Sequence, residues 1–501
     1  MKKLLFIFAL MLSNPGFSQQ NQKTQPQKTY NVTEKQIFAS MDENAKTFLQ
    51  QSKGNSISIG VVKDGKTYTR HYGEIDQGKA NKANDATLFE IASVTKIFTG
   101  TLMAKAVLDG KIKPDDDIRK YMTGDYPNLE FHGIPVTIKD LVSFRSGFNK
   151  DLPDRGDLMK GPSDSIPLRI KKLEESYTKA QFFADMKSVK PDTLPGKVYK
   201  YSNGSLLLAA HILENVYKKS YETLLQENIM TPLHLTNTKL RLNENETVAN
   251  GYNENNVLMP MIPMGTWGSA GSLKSSMSDL TKFLTFELDR KNPVVAESQR
   301  NVLKTGDSWQ GYFWDEITVN YNGLNARKHG GAFGTQNMFA VFPDYNMGIS
   351  VIVNQSGEKT YPNLFAAVQG LVDDLKPFGK KSIRRAIEKK CTENADAGIA
   401  LYQDLKKNKP DDYNFSDQSE LNILGYQLLN RGDVASAIKV FKLLVSEFPS
   451  ASNPYDSLGE AYFVNKQYVL SRQNYIRSIS LNPGNDNAKD MLTKLEAIMT
   501  K

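Results

Sequence analysis

The sequence predicts an α+β body, an antiparallel sheet with an inserted helical subdomain, followed by an all-α domain of helical repeats. Three observations carry this. Two β-rich hairpins stand at the ends of one long segment, NSISIGVVKDGKTYTRHY at 55–72 and NMFAVFPDYNMGISVIVN at 337–354. The stretch between them is dominated by helical patterns and does not alternate as βαβ units. From about residue 380 onward, helix formers in amphipathic runs replace strand signals and match themselves at an offset of 34 residues.

The first eighteen residues carry Lys2 and Lys3, an apolar run Leu4 to Leu12 and then Asn14-Pro15-Gly16. This is the layout of a secretory signal peptide over 1–18. The run is about half of the 18–20 apolar residues a bilayer span needs. Residues 19–32 are polar and of low complexity, a flexible leader. The mature chain is therefore expected in the periplasm or secreted, with no membrane span after signal removal.

Residues 33–377 make up the α+β domain. In the first hairpin Asp64-Gly65 supplies the tight turn; in the second, Pro343-Asp344 does so. Between them lie helical stretches at Val94 to Leu108, Ser205 to Tyr217 and Ser278 to Glu287. Strands at both ends imply that the first and last hairpins pair.

Residues 378–501 make up the helical domain. Leu421, Leu424, Gly425, Ala437, Phe441 and Pro449 are matched 34 residues on by Tyr455, Leu458, Gly459, Ser471, Tyr475 and Pro483. A large residue, Leu-Gly, a small residue, an aromatic and a closing Pro resemble the tetratricopeptide pattern, in which Gly and Ala let two helices approach while aromatics fill the gap. Two such repeats are fewer than the three that normally bury a stacked core, so Ser382 to Lys407 is expected to supply a preceding helical pair. A protein or peptide partner is a candidate occupant of these repeats.

Composition narrows the function. A balance of 40% hydrophobic and 24% charged residues is that of a globular chain, and a net charge of +8 spread over 501 residues is too dilute for a nucleic-acid binder. The single cysteine, Cys391, excludes an intramolecular disulfide and a Cys-rich zinc site. No metal site and no cofactor site is expected: the histidines lack ligand spacing, Asp115-Asp116-Asp117 lacks the glycine and closing glutamate of a calcium loop, and no phosphate-binding loop is present.

Ser93-Val94-Thr95-Lys96 opens the first long helix. A serine at a helix start sits among free N–H groups, and a lysine three residues on shares its face one turn away. A lysine desolvated among apolar residues loses enough basicity to activate a serine. Ser-x-x-Lys also occurs at 176, 356 and 436, where a capping serine and a solvated lysine suffice. Only Ser93 is followed in order by Tyr201-Ser202-Asn203 and by His329-Gly330-Gly331; Tyr126-x-Asn128, Tyr361-x-Asn363 and His71-x-Gly73 fall at the wrong places.

With Gly147 in SFRSGF, Pro195-Gly196, Thr231-Pro232-Leu233 and GSAGSLKSSMSDLTKFL at 268–284, this order resembles the serine β-lactamase and penicillin-binding protein superfamily, in particular the group of class C β-lactamases, D-alanyl-D-alanine carboxypeptidases and related esterases. The resemblance covers about 33–377. It implies Ser93 as the acylated nucleophile, Lys96 as its base partner, Tyr201 as proton shuttle and Asn203 as a substrate-orienting residue. It also implies His329, Gly330 and Gly331 as a substrate-binding strand end, and the N–H groups of Ser93 and Ala332 as the oxyanion hole. His329-Gly330-Gly331 stands where β-lactamases usually carry Lys-Thr-Gly, as in some carboxypeptidases and many esterases, which exchanges a permanent charge for a titratable one.

The expected function is that of an exported serine hydrolase acting through an acyl-enzyme on an amide, peptide or ester, D-amino-acid cell-wall peptides being one candidate, with a small molecule or peptide as substrate. The alternatives are a class C-like β-lactamase and a non-catalytic binding protein that uses its helical repeats. Loops 148–190 and 240–266 are expected to set specificity. Trp267, Trp309, Trp314, Tyr312 and Phe313 fit a cleft wall and the core equally well.

Overall fold

A computed structural model describes residues 32–160, 165–320, 323–376 and 381–499. The expected signal peptide and residues 19–31 of the leader lie outside the described residues.

Among the described residues, seven strands form one antiparallel sheet. In chain order they are β1 (Ser56–Lys63), β2 (Lys66–Gly73), β5 (Ser308–Trp309), β6 (Glu316–Asn320), β7 (Gly323–Gly331), β8 (Gln336–Phe342) and β9 (Met347–Val353), with β3 (Phe89–Glu90) and β4 (Lys274–Ser275) pairing apart from them. The spatial order is β2-β1-β9-β8-β7-β6-β5. The first and last hairpins do pair, in the register Ile57↔Val353 to Lys63↔Met347. Asp64 and Gly65, both at positive φ, close the β1–β2 turn, the backbone geometry whose twist matches that of the strands.

Side-chain alternation divides the core. Ile57, Ile59, Val61, Ile349 and Val351 face α1 (Glu34–Ser52) and a helix near the end of the body, α5 (Thr360–Leu375). Val62, Phe339, Val341 and Ile352 join the larger cluster on the other face, with α2 (Thr95–Leu108), α3 (Asn203–Tyr217) and α4 (Met277–Leu288). Helix α2 buries eleven of its fourteen residues, so it is enclosed on all sides. Gly100 permits this: a Cβ there would stand 2.2 Å from the Tyr312 carbonyl oxygen. Trp267, Trp314, Tyr312 and Phe313 are core residues, between 0 and 3% exposed.

Among the described residues the C-terminal part is helical apart from two short strands, Lys381–Ser382 and Tyr413–Asn414, which pair in parallel: α6 (Ile383–Glu393), α7 (Ala395–Asn408), α8 (Gln418–Asn430), α9 (Val434–Glu447), α10 (Ser452–Val464), α11 (Tyr468–Leu481) and α12 (Asp486–Met499). Helices α8 and α9 recur as α10 and α11 with every boundary displaced by the same 34 residues, which fits tetratricopeptide-like repeats. The small-against-aromatic pattern is realised: a Cβ on Gly425 would stand 2.3 Å from the Phe441 ring, and one on Gly459 3.2 Å from Tyr475. Helices α6 and α7 supply the preceding pair. The Arg385 guanidinium donates to the Gly370 carbonyl at 2.8 Å and to Asp374 at 2.5 Å, both on α5, and to Asn44 of α1 at 3.3 Å.

Candidate active site

Ser93 lies in a single 3₁₀ turn, Ala92–Val94, between β3 and α2. Ala92 holds a positive φ of 43°, a conformation that costs an L-residue about 1–2 kcal/mol and persists only where its surroundings impose it. Those surroundings are close: Ile91 N–H donates to Leu273 O at 3.2 Å, the Asn337 amide donates to Ile91 O at 3.1 Å, and a Cβ on Gly330 would lie only 2.4 Å from that oxygen. Gly330 is therefore the residue that lets the end of β7 pack against the backbone of the Ser93 turn.

The Ser93 hydroxyl is reached from two sides. Lys96 Nζ is 3.1 Å from Oγ, and Tyr201 OH donates to Oγ at 2.8 Å. Lys96 also donates to the Ala270 carbonyl. Burial, and secondarily the positive Lys328, hold the Lys96 amine well below its ordinary range. Burial, followed by the charge of Asp315, pushes the Tyr201 phenol well above its own, while the bond to Ser93 opposes this. Tyr201 as a residue is 41% exposed. One partner of Ser93 is thus disposed to take a proton and the other to keep one.

Asn203 opens α3, and its side-chain amide donates to Asp151 at 3.3 Å. Asp151 also accepts from Ser202 Oγ at 2.8 Å and from Gly204 N–H at 2.7 Å, so it anchors the whole Tyr201-Ser202-Asn203 corner. A cavity of about 240 Å³ beside Tyr201 is lined by Phe148 and by the mostly polar residues Asn149, Lys150, Asp151, Lys200, Tyr201 and Ser202.

The His-Gly-Gly segment departs from expectation. His329-Gly330-Gly331 are the last three residues of β7, and the period of two sends Lys328 and His329 to opposite faces. Lys328, fully buried, points to Tyr201, with Nζ 5.1 Å from the ring centroid and 2.5 Å from Asp315. The His329 ring packs edge-on against Tyr361 of α5, centroids 4.7 Å apart, with Nε2 3.4 Å from Gln336. Lys328-His329-Gly330 therefore holds the register assigned above to His329-Gly330-Gly331. Burial lowers the affinity of both Lys328 and His329 for a proton.

The N–H of Ala332 also departs from its assigned role, because it donates to Thr335 O at 2.8 Å in the β7–β8 turn. Antiparallel alternation then turns the N–H groups of His329 and Gly331 away from β8. That of His329 meets Asp315 Oδ2 at 2.7 Å. That of Gly331 lies beyond Arg327↔Glu316, where the pairing with β6 ends.

Lys328, Asp315 and Asp151 are the residues that motif reading missed. Lys-x-Gly at 328–330 overlaps His-Gly-Gly, and strand alternation was the signal that could have separated them; the two aspartates come from loops without a pattern. A second constellation, Ser58 Oγ, His71 and Asp85 at 2.9 Å each, has the order of a hydrolytic triad, but Ser58 is 1% exposed and no substrate carbonyl reaches it.

Residues 41–371 match the Beta-lactamase family. The chain is 27% identical over 321 residues to Protein flp of Staphylococcus aureus strain MRSA252, covering 62% of this chain and 61% of that protein. It is 25% identical over 285 residues to a Beta-lactamase of Psychrobacter immobilis, covering 55% and 65%. The match thus spans about three fifths of the staphylococcal protein's length. In fold it is similar to the octameric penicillin-binding protein homologue from Pyrococcus abyssi, with a TM-score of 0.56, 23% identity, and 70% of this chain and 81% of that one covered. The chain belongs to the Beta-lactamase family and has its serine hydrolase fold.

Proposed function

We propose that this protein is an exported serine hydrolase that cleaves an amide, peptide or ester through an acyl-enzyme on Ser93. The observation that carries the reading is the placement of the Ser93 hydroxyl within hydrogen-bonding reach of both Lys96 and Tyr201. As Ser93 Oγ attacks the substrate carbonyl carbon, Lys96 takes the hydroxyl proton, and the carbonyl electron pair moves onto oxygen. The N–H groups of Ser93 and Gly331 hold that oxyanion; one such donor typically contributes about 2.7–4 kcal/mol. Tyr201 gives its proton to the departing nitrogen or oxygen as the acyl bond to it breaks, and is reprotonated from Lys96. In deacylation water attacks the ester, its proton passes to the Tyr201–Lys96 pair, and Ser93 leaves as the hydroxyl.

The substrate class includes D-amino-acid peptides of the cell wall. In this reading residues 1–18 are the signal peptide, 19–32 the leader, 33–377 the hydrolase domain and 378–501 the helical domain, which offers a groove for a peptide partner. A class C-like β-lactamase is the second reading, favoured by Lys328 in the register where β-lactamases carry lysine.

Intact mass spectrometry after exposure to a penicillin and, separately, to a fluorophosphonate tests the proposal. An adduct in the parent protein that is absent from Ser93→Ala supports it. Rapid turnover of a chromogenic cephalosporin selects the β-lactamase reading. No adduct with either probe, in a folded protein, moves the assignment to a binding protein.

A further inference from the structure

The run Val257-Leu258-Met259-Pro260-Met261-Ile262-Pro263-Met264 contains eight successive apolar residues, none of them buried. Val257, Leu258 and Met261 are 53, 56 and 46% exposed. Isolated apolar residues are ordinary on a surface, whereas a contiguous exposed patch marks a binding site.

Its position is fixed by main-chain ties to the walls of the active site. Before the run, Tyr252 N–H donates to Gly334 O at 3.0 Å in the β7–β8 turn. Within it, Ile262 N–H donates to Glu90 at 2.6 Å, three residues ahead of the nucleophile. At its end, Ser272 Oγ donates to Pro263 O and Met264 O at 3.0 and 2.7 Å, close to Ala270, the acceptor of Lys96. The run therefore crosses the rim from the oxyanion side to the lysine side. It shares no residue with the polar cavity beside Tyr201.

The four substituents of the tetrahedral carbon divide accordingly. One is Ser93 Oγ, one is the oxyanion, and the leaving group must face Tyr201 to receive its proton. The acyl chain is left to the remaining side. We propose that the rim Val257–Met264 receives the acyl part of the substrate and selects apolar acyl groups over short or charged ones. This rests on the serine hydrolase reading given above.

The test is kcat/KM for p-nitrophenyl acetate, butyrate and octanoate, measured on the full chain and on Leu258→Ser/Met261→Ser. The inference expects a rise of at least about tenfold from acetate to octanoate, the scale on which apolar pockets discriminate added methylenes, and its collapse in the double variant. A flat series in the parent protein, or an unchanged slope in the variant, overturns it. Hydrolysis of none of the esters, with no fluorophosphonate adduct, overturns the hydrolase reading itself, a result distinguishable from a flat series.

Discussion

Lys96 and Lys328 place their amino groups 5.0 and 5.1 Å from the centroid of the same ring, that of Tyr201. Two ammonium groups so close in a buried site repel, and the arrangement resolves the conflict unequally. Lys328 is paired with Asp315, whereas Lys96 meets a hydroxyl and a carbonyl. Lys96 is therefore the amine that gives up its proton.

The pH dependence of acylation follows. A base that works as the neutral amine gains activity as pH rises through its pKa, and the positive charge of Lys328 lowers that of Lys96. Lys328→Met removes the charge and leaves Asp315, which acts in the opposite sense, so the acid limb of kcat/KM moves to higher pH. A pH–rate profile with an ester substrate reads this; a limb that stays in place or moves down refutes the coupling.

His329 and Lys328 are separated by paired substitutions. Lys328→Ala lowers kcat/KM by about 10²-fold or more, the scale of losing one preorganised electrostatic group. His329→Ala changes it by less than about threefold, or under about 0.7 kcal/mol. The reverse order would return the role to the histidine.

Gly330→Ala introduces a Cβ 2.4 Å from the Ile91 carbonyl oxygen and within 3 Å of the Asn337 amide. Either β7 or the Ser93 turn must shift, and overpacking of this kind costs about 1–3 kcal/mol. Thermal unfolding and acylation kinetics should both deteriorate. A variant that keeps its Tm and its rate would show that the contact is slack.

Glu287 on α4 is enclosed with Gln299 and Thr101, and burial raises its pKa to about 7. A carboxyl raised above its unfolded value favours folding at low pH. Stability from this group declines as pH rises from about 4.5 to 7, by on the order of 3 kcal/mol. Glu287→Gln can direct its NH₂ at the Thr101 oxygen, whose hydroxyl donates to Ile97 O, and can accept from Gln299. Its Tm relative to the parent should therefore be higher at pH 8 than at pH 5. A pH-independent difference in Tm argues against a neutral Glu287.

Arg385 ties the helical part to the body through Gly370, Asp374 and Asn44. Arg385→Ala strips partners from a carbonyl and a carboxylate and should destabilise by about 1–3 kcal/mol, with earlier proteolysis between the two parts. Ending the chain after residue 378 tests the same brace; unchanged folding and activity would exclude it.

Short-range patterns made much of this molecule legible. Asp64-Gly65 announced its turn, β-rich runs announced the strands of the first and last hairpins, and the 34-residue period announced two helical hairpins whose boundaries repeat with it. Ser93 and Lys96 stand one helical turn apart, so their proximity follows from chain geometry alone. Tyr201 came within reach by motif order, although 108 positions separate it from Ser93.

Tertiary packing settled the rest. Whether Lys328 or His329 faces the cleft depends on which face of β7 turns inward, and a shift of one residue exchanges them. That choice is set by Gly330 resting on Ile91 and by Asp315 gripping both Lys328 and the His329 N–H. Whether Ala332 or Gly331 offers a free N–H depends equally on the β7–β8 register. The Asp315 and Ala332 contacts are close along the chain but depend on how β7 is paired, and the contact of Gly330 with Ile91 joins separate parts of the chain that meet only when the sheet closes over α2.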